Sequence, residues 1–424
     1  MLNGNLSFRY YLFSISNLIA AFGGGLILGK GAGVIDFPYL HGGSIFAFFI
    51  GTILGLVFLQ FIPKRLSKFL VNWFSISCGV TSLALFYMYQ NYSYSGTLTG
   101  ISALIFFILL SIRFGFWFYS RVMRASIASG HQQSIAWVEF GYYLGMVLGL
   151  IIWKLLGINI GLGTALIIDA IFQFLAGILD LRNFALEKIS LEKSKQEKQI
   201  ISEPQLAHYS SEWCWKLAGA VVFITIGVQV VIFNMAHYVA EVLGSYILAT
   251  FYLGVATAAF MCSKYNVLIS WDHENNLAAI ITNNTKKTMK FNFLFLILML
   301  AFAVIVVISQ IYTNESTIDS VFFNGLYVCI FVFIAAFIYE AISLSLLDRI
   351  GYEETKLGVS GMIMRTYGLM GLGAAIGFWT LGLMDDHLIS SLITLAICLS
   401  VATIFVLKRN SINLDQLSPY RRAA

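Results

Sequence analysis

The chain has 424 residues, of which 59% are hydrophobic and 11% are charged. Ordinary soluble domains carry roughly 45–50% apolar and about 25% charged residues, so this composition excludes a soluble globular protein and indicates an integral membrane protein. The formal net charge of +5 comes from basic loops facing anionic lipid headgroups, and it does not indicate nucleic-acid binding.

Twelve apolar stretches are long enough to cross the hydrocarbon core, which takes about 20 residues of helix. The first stretch follows Arg9 and resembles a signal peptide, but it continues through GGGLILG without a convincing cleavage site. We therefore predict a retained helix there. The predicted spans are 8–29, 42–62, 69–89, 98–120, 132–155, 161–181, 213–237, 245–263, 291–311, 321–344, 357–384 and 387–407.

Lysine and arginine concentrate in the loops that follow the even-numbered spans and in the carboxyl tail. The opposite loops are nearly free of them and carry acidic residues such as Glu315 and Asp385. Basic loops stay on the cytoplasmic side of a membrane. We therefore predict that both termini are cytoplasmic, and the pattern fits a bacterial inner membrane.

A charged segment at residues 182–212 divides six spans from six. It predicts an amino-terminal bundle at 1–181, a linker that begins with a short amphipathic helix at the headgroups, a carboxy-terminal bundle at 213–410 and a tail at 411–424. A second insertion at 264–290 contains apolar pieces too short to cross the bilayer. These pieces are expected to rest at the interface or to complete a neighbouring helix.

Glycines recur in spans 5 and 11. Span 5 has Gly141, Gly145 and Gly149 at a spacing of four, and span 11 is similarly glycine-rich. Small residues at such spacing let helix backbones approach closely in lipid. Close packing is the main interpretation, and a hinge for rocking helices is the alternative.

These features together resemble the major facilitator superfamily of secondary transporters. The loop after span 2 keeps Gly55 and a basic run, PKRLSK, but lacks the aspartate and second glycine typical of that family, and span 5 lacks the Gly-Pro pair of its drug/proton antiporters. The resemblance implies an all-α membrane protein of twelve transmembrane helices in two pseudo-symmetric six-helix bundles. It also implies a central cavity lined by spans 1, 4, 7 and 10, and a monomer. The motifs place the chain in no subfamily.

Two pairs of oppositely charged residues lie at matching positions in the predicted spans of the two halves: Arg113 with Glu139, and Glu340 with Arg365. Their offsets nearly agree, since 340 minus 113 is 227 and 365 minus 139 is 226. Counted from the cytoplasmic edge at about 1.5 Å per residue, each neighbouring pair is level, at depths of roughly 12–14 Å. We therefore predict an Arg113–Glu139 pair and a Glu340–Arg365 pair.

Buried charges in a membrane are costly and usually functional. Arginine grips carboxylate or phosphate with a planar fork, which favours an anionic or zwitterionic solute. Burial disfavours the charged form of a carboxylate, so buried acidic residues are candidates for carrying protons. The predicted solute-binding residues are Arg113, Arg365, Asn17, Gln229, Asn234, Asn324 and Tyr327, and the predicted proton-coupling residues are Glu139, Glu340 and Asp169.

Two alternatives stay open for these residues. Each charged pair can be a static lock that holds two helices together and never meets a solute. Asp169 can equally serve packing against a neighbouring helix. Tyr142 and Tyr143, beside Glu139, can line a site for a larger organic molecule or belong to ordinary helix packing.

The leading hypothesis is a proton-coupled secondary transporter of a small organic solute, such as a carboxylate-bearing metabolite or a siderophore-type chelator. An exporter of drugs or metabolites with the same fold is the alternative. An intramembrane enzyme is the competing class, but the chain has no HExxH, GxSxG or Walker motif. No cofactor, metal or nucleic-acid partner is expected.

Overall fold

The computed structural model describes residues 2–30, 35–36, 43–61, 64–128, 134–155, 160–194, 204–238, 241–265, 277–314, 318–356, 362–381 and 388–407. Helix dominates because, in lipid, it satisfies every backbone polar group within one segment. The helices in these residues are α1 (Leu2–Lys30), α2 (Gly43–Phe61), α3 (Lys64–Tyr92), α4 (Gly100–Ala128), α5 (Ser134–Leu155), α6 (Leu162–Ser194), α7 (Pro204–Tyr238), α8 (Glu241–Tyr265), α9 (Leu277–Asn314), α10 (Ile318–Lys356), α11 (Met362–Leu381) and α12 (Leu388–Leu407). A short parallel pair joins β1 (Ile35–Asp36) to β2 (Leu98–Thr99).

The two halves of the chain, α1–α6 and α7–α12, pack in the same way. In the first half α1 contacts α5 and α6, α2 contacts α4, and α3 contacts α4 and α6. The second half repeats each of these contacts six helices later, from α7 against α11 and α12 to α9 against α10 and α12. The halves meet where α5 packs on α8 and α2 packs on α11, which are also equivalent pairs. The predicted pair of pseudo-symmetric six-helix bundles is confirmed.

The helices present apolar surface outward as well as inward. Nine segments within the described residues are long and apolar enough to cross a membrane, and α5 has a shorter apolar stretch at Ile135–Ile151. Ile101 and Phe293 are 78% and 63% exposed. Large apolar side chains exposed over whole helices mark a surface that faces hydrocarbon rather than water. The chain is therefore a multi-pass membrane protein.

The structure refines two predictions about the connecting segments. The start of the predicted linker is helical, but it continues α6 to Ser194 instead of forming a separate helix. The second apolar piece of the 264–290 insertion, LAAII, forms the first turn of α9 and so completes a neighbouring helix. Residues 266–276 lie outside the described part of the chain.

The glycines of α5 mediate its close contact with α1. A Cβ atom added at Gly141, Gly145 or Gly149 would collide with the backbone of α1. The obstructing carbonyl oxygens belong to Ser14, Leu18 and Phe22, which are also four residues apart. Two matched rows at one-turn spacing therefore set the distance between these helices. The prediction of close packing is confirmed for α5.

Candidate functional site

Helix α4 carries two buried arginines, and α6 carries two buried aspartates at the same spacing of eleven residues. Arg113 pairs with Asp169 and Arg124 pairs with Asp180, and all four side chains are sealed from solvent. Eleven residues make about three helical turns, so such residues share one face and lie about 16 Å apart. The equal spacings allow both pairs to form along the same two helices.

The Arg113–Asp169 pair is enclosed by further hydrogen bonds. The Arg113 Nε donates to Asp169 Oδ2 at 3.1 Å. Ser82 Oγ also donates to Oδ2, and Gln173 Nε2 donates to Oδ1 at 3.1 Å. A buried ion pair needs such additional partners to offset the desolvation of its charges. The arrangement is that of an internal brace between α4, α6 and α3.

The Arg124–Asp180 pair repeats this pattern. Arg124 Nη2 donates to Asp180 Oδ2 at 2.7 Å and to Ser75 Oγ at 2.8 Å, and its Nη1 donates to Asn17 Oδ1 at 2.8 Å. Asn17 in turn donates to the carbonyl oxygen of Val138 at 3.2 Å. Asn17, a predicted solute-binding residue, therefore holds α1 against α4 and α5 through both its amide oxygen and its amide nitrogen.

The predicted Arg113–Glu139 pair is wrong. Glu139 binds Arg121, through Nη2 and Oε2 at 2.7 Å. Arg121 follows Arg113 by eight residues, which turns its side chain about 80° around the helix. That rotation points Arg121 toward α5 and Arg113 toward α6. Counting depth from the membrane edge gave the level of each residue but not its direction.

Arg121 is the centre of a polar cluster between the halves. Its guanidinium lies 3.5 Å from the ring centroid of Tyr142, and its Nη2 donates to the hydroxyl of Tyr143 at 3.2 Å. From α11 the hydroxyl of Tyr367 donates to Glu139 Oε1 at 3.0 Å. Among the described residues, none forms a hydrogen bond with the buried Nε of Arg121. The cluster therefore links α4, α5 and α11.

A cavity of about 80 Å³ lies beside this cluster, walled by α2, α4 and α5 from one half and by α7, α8, α10 and α11 from the other. Among the described residues, Arg121 is its one charged lining residue. Polar groups come from Thr52, Thr225 and Gln229. The remaining wall is largely aromatic: Phe48, Phe118, Tyr142, Tyr143, Phe251, Tyr252, Tyr339 and Tyr367. An apolar wall with a few convergent polar groups is typical of a small-molecule site.

Glu340 lies on α10 next to the cavity-lining Tyr339 and is only 2% exposed. No described residue forms an ion pair or a hydrogen bond with its carboxylate. The charged groups that act on it electrostatically are Glu139 and Arg121. Its carboxylate in turn acts on the hydroxyls of Tyr143 and Tyr367, which both line the cavity. Glu340 is therefore a second acidic residue beside the cluster.

The predicted Glu340–Arg365 pair is also wrong. Arg365 is exposed and lies 5.8 Å from the ring centroid of Trp215 on α7. Tyr367, two positions later, is one of the α11 residues that line the cavity, and two positions turn a helix by about 200°. Arg365 consequently points away from the cavity and from Glu340.

The remaining predicted solute-binding residues also differ in whether they face the cavity. Gln229 lines the cavity, whereas Tyr327 is 52% exposed on the outer side of α10. Tyr327 and Asn324 precede Glu340 by 13 and 16 residues, which places them about 140–160° from it around the helix. Asn234 lies outside the residues whose side chains the structure describes.

Sequence reasoning missed Arg121 and Tyr367. Arg121 was counted with the basic loop after span 4, because it follows the apolar run that ends at residue 120. One available signal was its distance of eight residues from Arg113, which puts a second arginine on the same helix. Tyr367 carried no comparable signal, since tyrosine is common throughout this chain.

The chain was compared with known proteins. No family model and no curated protein matches it. Two crystal structures of a bacterial homologue of the iron transporter ferroportin, in the outward-facing state, do match. The first is 13% identical, with a TM-score of 0.61, and the match covers 94% of this chain and 98% of the solved chain. The second, soaked with iron, is 11% identical, with a TM-score of 0.60, and the match covers 95% of this chain and 99% of the solved chain. At this identity the likeness shows the fold, which is the major facilitator fold expected from the sequence.

Proposed function

We propose that the protein is a secondary transporter that moves a small organic solute, anionic or zwitterionic, across the membrane by alternating access, with protons as the coupling ion. The observation that carries this proposal is the position of Arg121. It lines a cavity between two pseudo-symmetric helix bundles, and its partner Glu139 is bonded to Tyr367 of the opposite bundle. The cluster that binds the solute is therefore also the cluster that connects the two bundles.

Alternating access requires two arrangements of the bundles that differ little in energy. Repeated six-helix units supply them, because each inter-bundle contact has an equivalent on the other side of the pseudo-symmetry axis. Here the α5–α8 and α2–α11 contacts form such a pair. The Tyr367–Glu139 hydrogen bond stabilises one arrangement of the bundles. Its loss would shift the equilibrium toward the other arrangement.

An organic solute fits the cavity better than iron, the cargo of the transporter to whose bacterial homologue the two matching structures belong. Within the described residues there is no group of three or more histidine, cysteine, aspartate or glutamate side chains that could hold a metal ion. The cavity wall carries an arginine and aromatic rings instead. Arginine repels cations and binds carboxylates through its fork. These features support transport of a molecule with a carboxylate and an apolar body.

We assign proton coupling to Glu139 and Glu340 and not to Asp169. Asp169 is sealed from solvent and accepts hydrogen bonds from Arg113, Ser82 and Gln173. Protonation there would break a brace that lies away from the cavity. Glu340 has no neutralising partner among the described residues, and Glu139 shares Arg121 with the cavity. Of the three predicted proton-coupling residues, Glu139 and Glu340 are therefore the two that lie beside the cavity cluster.

The proposal places the chain in a bacterial inner membrane as a monomer with both termini in the cytoplasm. The distribution of basic loops supports the orientation. Import and export are both compatible with the cavity. A drug or metabolite exporter of the same fold is therefore the alternative within this class.

The test uses protein reconstituted in liposomes with an imposed pH gradient and a panel of labelled carboxylates, amino acids, chelators and Fe²⁺. We expect the gradient to drive net movement of an organic solute. Glu340→Gln and Glu139→Gln should each abolish the gradient-driven component while solute exchange persists in at least one of them. Glu212→Gln, on an exposed residue of α7 paired with Lys216, is the matched control and should transport normally.

Two results would overturn the proposal. The absence of gradient-driven flux for every solute in the panel would exclude a proton-coupled carrier of these compounds. Equal loss of folding in both glutamate variants, measured by thermal unfolding, would instead show that the Arg121 cluster is a static lock. Modification of a lipid by the purified protein would move the chain to the enzyme class.

A further inference from the structure

Resting on the proposed transport function, we propose that the solute is a short aliphatic monocarboxylate with one hydroxyl or carbonyl oxygen on its body. Its carboxylate binds Arg121, and its neutral oxygen binds Gln229 and Thr225. The argument begins with how the cavity wall is divided between the bundles. Among the described residues, the first bundle contributes the one charged lining residue, Arg121, and α7 of the second bundle contributes the neutral Thr225 and Gln229. A matching solute has a negative end and a neutral polar group.

The Arg121 side of the cavity fits one carboxylate. Glu139 and Tyr143 both use Nη2 of Arg121, at 2.7 and 3.2 Å, and no described residue forms a hydrogen bond with its buried Nε. A guanidinium has five N–H donors in a planar fork, so a second carboxylate can bind while Glu139 stays in place. The Arg121 side chain is 12% exposed and that of Glu139 only 1%. The arginine is therefore the member of the pair that a solute can reach.

The α7 side of the cavity offers neutral hydrogen-bonding groups. Thr225 and Gln229 are four residues apart, so they share one face of the helix. The hydroxyl of Thr225 lies 3.2 Å from that of Tyr339, and the amide of Gln229 carries both donors and an acceptor. Among the described lining residues there is no carboxylate. This side can therefore bind a hydroxyl or carbonyl oxygen, but it lacks a counter-charge for an ammonium group and a cation for a second carboxylate.

The space between these two sides is apolar and small. Its wall includes the rings of Phe48, Phe118 and Phe251. A cavity of about 150 Å³ is known to hold benzene, whereas this one measures about 80 Å³. Scaled from the six carbons of benzene, the space holds a chain of roughly three to four carbons. A short aliphatic body therefore fits the described conformation, and an aromatic ring does not.

Such a solute contacts both bundles at once. Its carboxylate is held by α4 and its neutral oxygen by α7. A solute without the neutral oxygen leaves the polar groups of α7 unpaired when the cavity closes around it. Unpaired buried polar groups are costly, which is how a site built to bind a hydroxyl rejects an analogue that lacks it. The neutral groups of α7 therefore determine specificity.

The experiment is a calorimetric titration of the full chain in detergent with acids that share a four-carbon chain. Butyrate is the parent compound. The 2-, 3- and 4-hydroxybutyrates and acetoacetate add a hydroxyl or carbonyl oxygen, succinate adds a second carboxylate, and 4-aminobutyrate adds an ammonium group. We expect at least one hydroxy or oxo acid to bind tenfold or more tightly than butyrate, succinate and 4-aminobutyrate. The position of its oxygen reports the separation of Arg121 from the α7 groups.

Gln229→Leu and Thr225→Val each remove a neutral group from α7. At least one of them should reduce the preference for the hydroxy or oxo acid over butyrate from tenfold or more to about one. The second variant keeps the test valid if the first does not fold. Glu212→Gln is the control, and it should leave the preference unchanged.

Butyrate, succinate or 4-aminobutyrate binding as tightly as the best hydroxy or oxo acid would overturn the inference. The absence of binding throughout the series, or a preference that survives both α7 substitutions, would do so as well. Gradient-driven transport of another organic solute in liposomes would then still support the proposed carrier function. Failure of every solute to move would contradict the carrier itself, so the two failures are distinguishable.

Discussion

Tyr367 and Glu139 are 228 positions apart in the chain, yet the tyrosine hydroxyl donates a 3.0 Å hydrogen bond to the glutamate Oε1. The bond joins α11 of one bundle to α5 of the other. Glu139 lies toward the predicted cytoplasmic ends of the helices. We therefore expect this bond to hold the predicted cytoplasmic side closed.

Tyr367→Phe tests this expectation, because it removes the hydroxyl and keeps the ring. A hydrogen bond to a charged group contributes about 1.5–3 kcal/mol, so the population open to the cytoplasm should rise roughly 10- to 100-fold. The measurement is the alkylation rate of a cysteine introduced at Gln229, with the native cysteines replaced, using an impermeant reagent applied from each side. Labelling should increase from the cytoplasmic side.

The control for this experiment is Tyr339→Phe. The hydroxyl of Tyr339 lies 3.2 Å from Thr225 Oγ1, and both residues belong to the second bundle. Removing this contact should leave the population of protein that is open to the cytoplasm unchanged. Unaltered labelling in Tyr367→Phe, or an increase from the opposite side, would contradict the gating role of the bond.

The Arg113–Asp169 brace makes a separate prediction about stability. Asp169→Asn leaves the arginine charge buried without a counter-charge and should destabilise the protein by about 3–5 kcal/mol. The double variant Arg113→Met with Asp169→Leu should recover much of this loss. Thermal or denaturant unfolding of the double variant and of the single variants Arg113→Met and Asp169→Leu completes a double-mutant cycle that measures the coupling of the pair.

The exposed Lys216–Glu212 pair is the comparison for this brace. Its glutamate side chain is 61% exposed, and exposed pairs contribute about 0–1 kcal/mol. Glu212→Gln should therefore change stability little. A comparable effect of both substitutions would show that burial does not distinguish the two pairs.

Helix contact through glycine gives the third prediction. Gly145→Ala places a methyl group against the carbonyl oxygen of Leu18, and overpacking of this kind costs about 1–3 kcal/mol. The unfolding temperature should fall. Gly161→Ala, where an added Cβ meets nothing within 4 Å, should leave it unchanged, and equal shifts in the two variants would argue against the tight α1–α5 contact.

The fourth prediction separates the two arginines that bear on solute binding. Arg365 is exposed against Trp215 and points away from the cavity, so Arg365→Gln should transport at close to the normal rate. Arg121→Gln should lose transport, and Arg121→Lys should recover only part of it because lysine lacks the planar fork. Initial uptake rates in liposomes provide the measurement. Strong loss in Arg365→Gln would restore that residue as a binding candidate.

The sequence by itself determined the membrane class and the architecture. Apolar stretches of bilayer length, a charged divider between two sets of six, and glycines such as Gly145 at one-turn spacing are local patterns, and each has a direct physical meaning in lipid. The structure confirms the repeated bundles and the close α1–α5 packing. Burial of Glu139 and Glu340 also follows from their position in apolar runs.

Only the tertiary structure decided which charges meet. Depth in the membrane can be counted along the chain, but the direction of a side chain depends on about 100° per residue and on the rotation of each helix against its neighbours. Arg113 and Arg121 differ by eight positions, and this rotation gives one an internal brace with Asp169 and the other a cavity wall beside Glu139. The bond between Tyr367 and Glu139 arises from the docking of two bundles, and no local pattern in either segment specifies that docking.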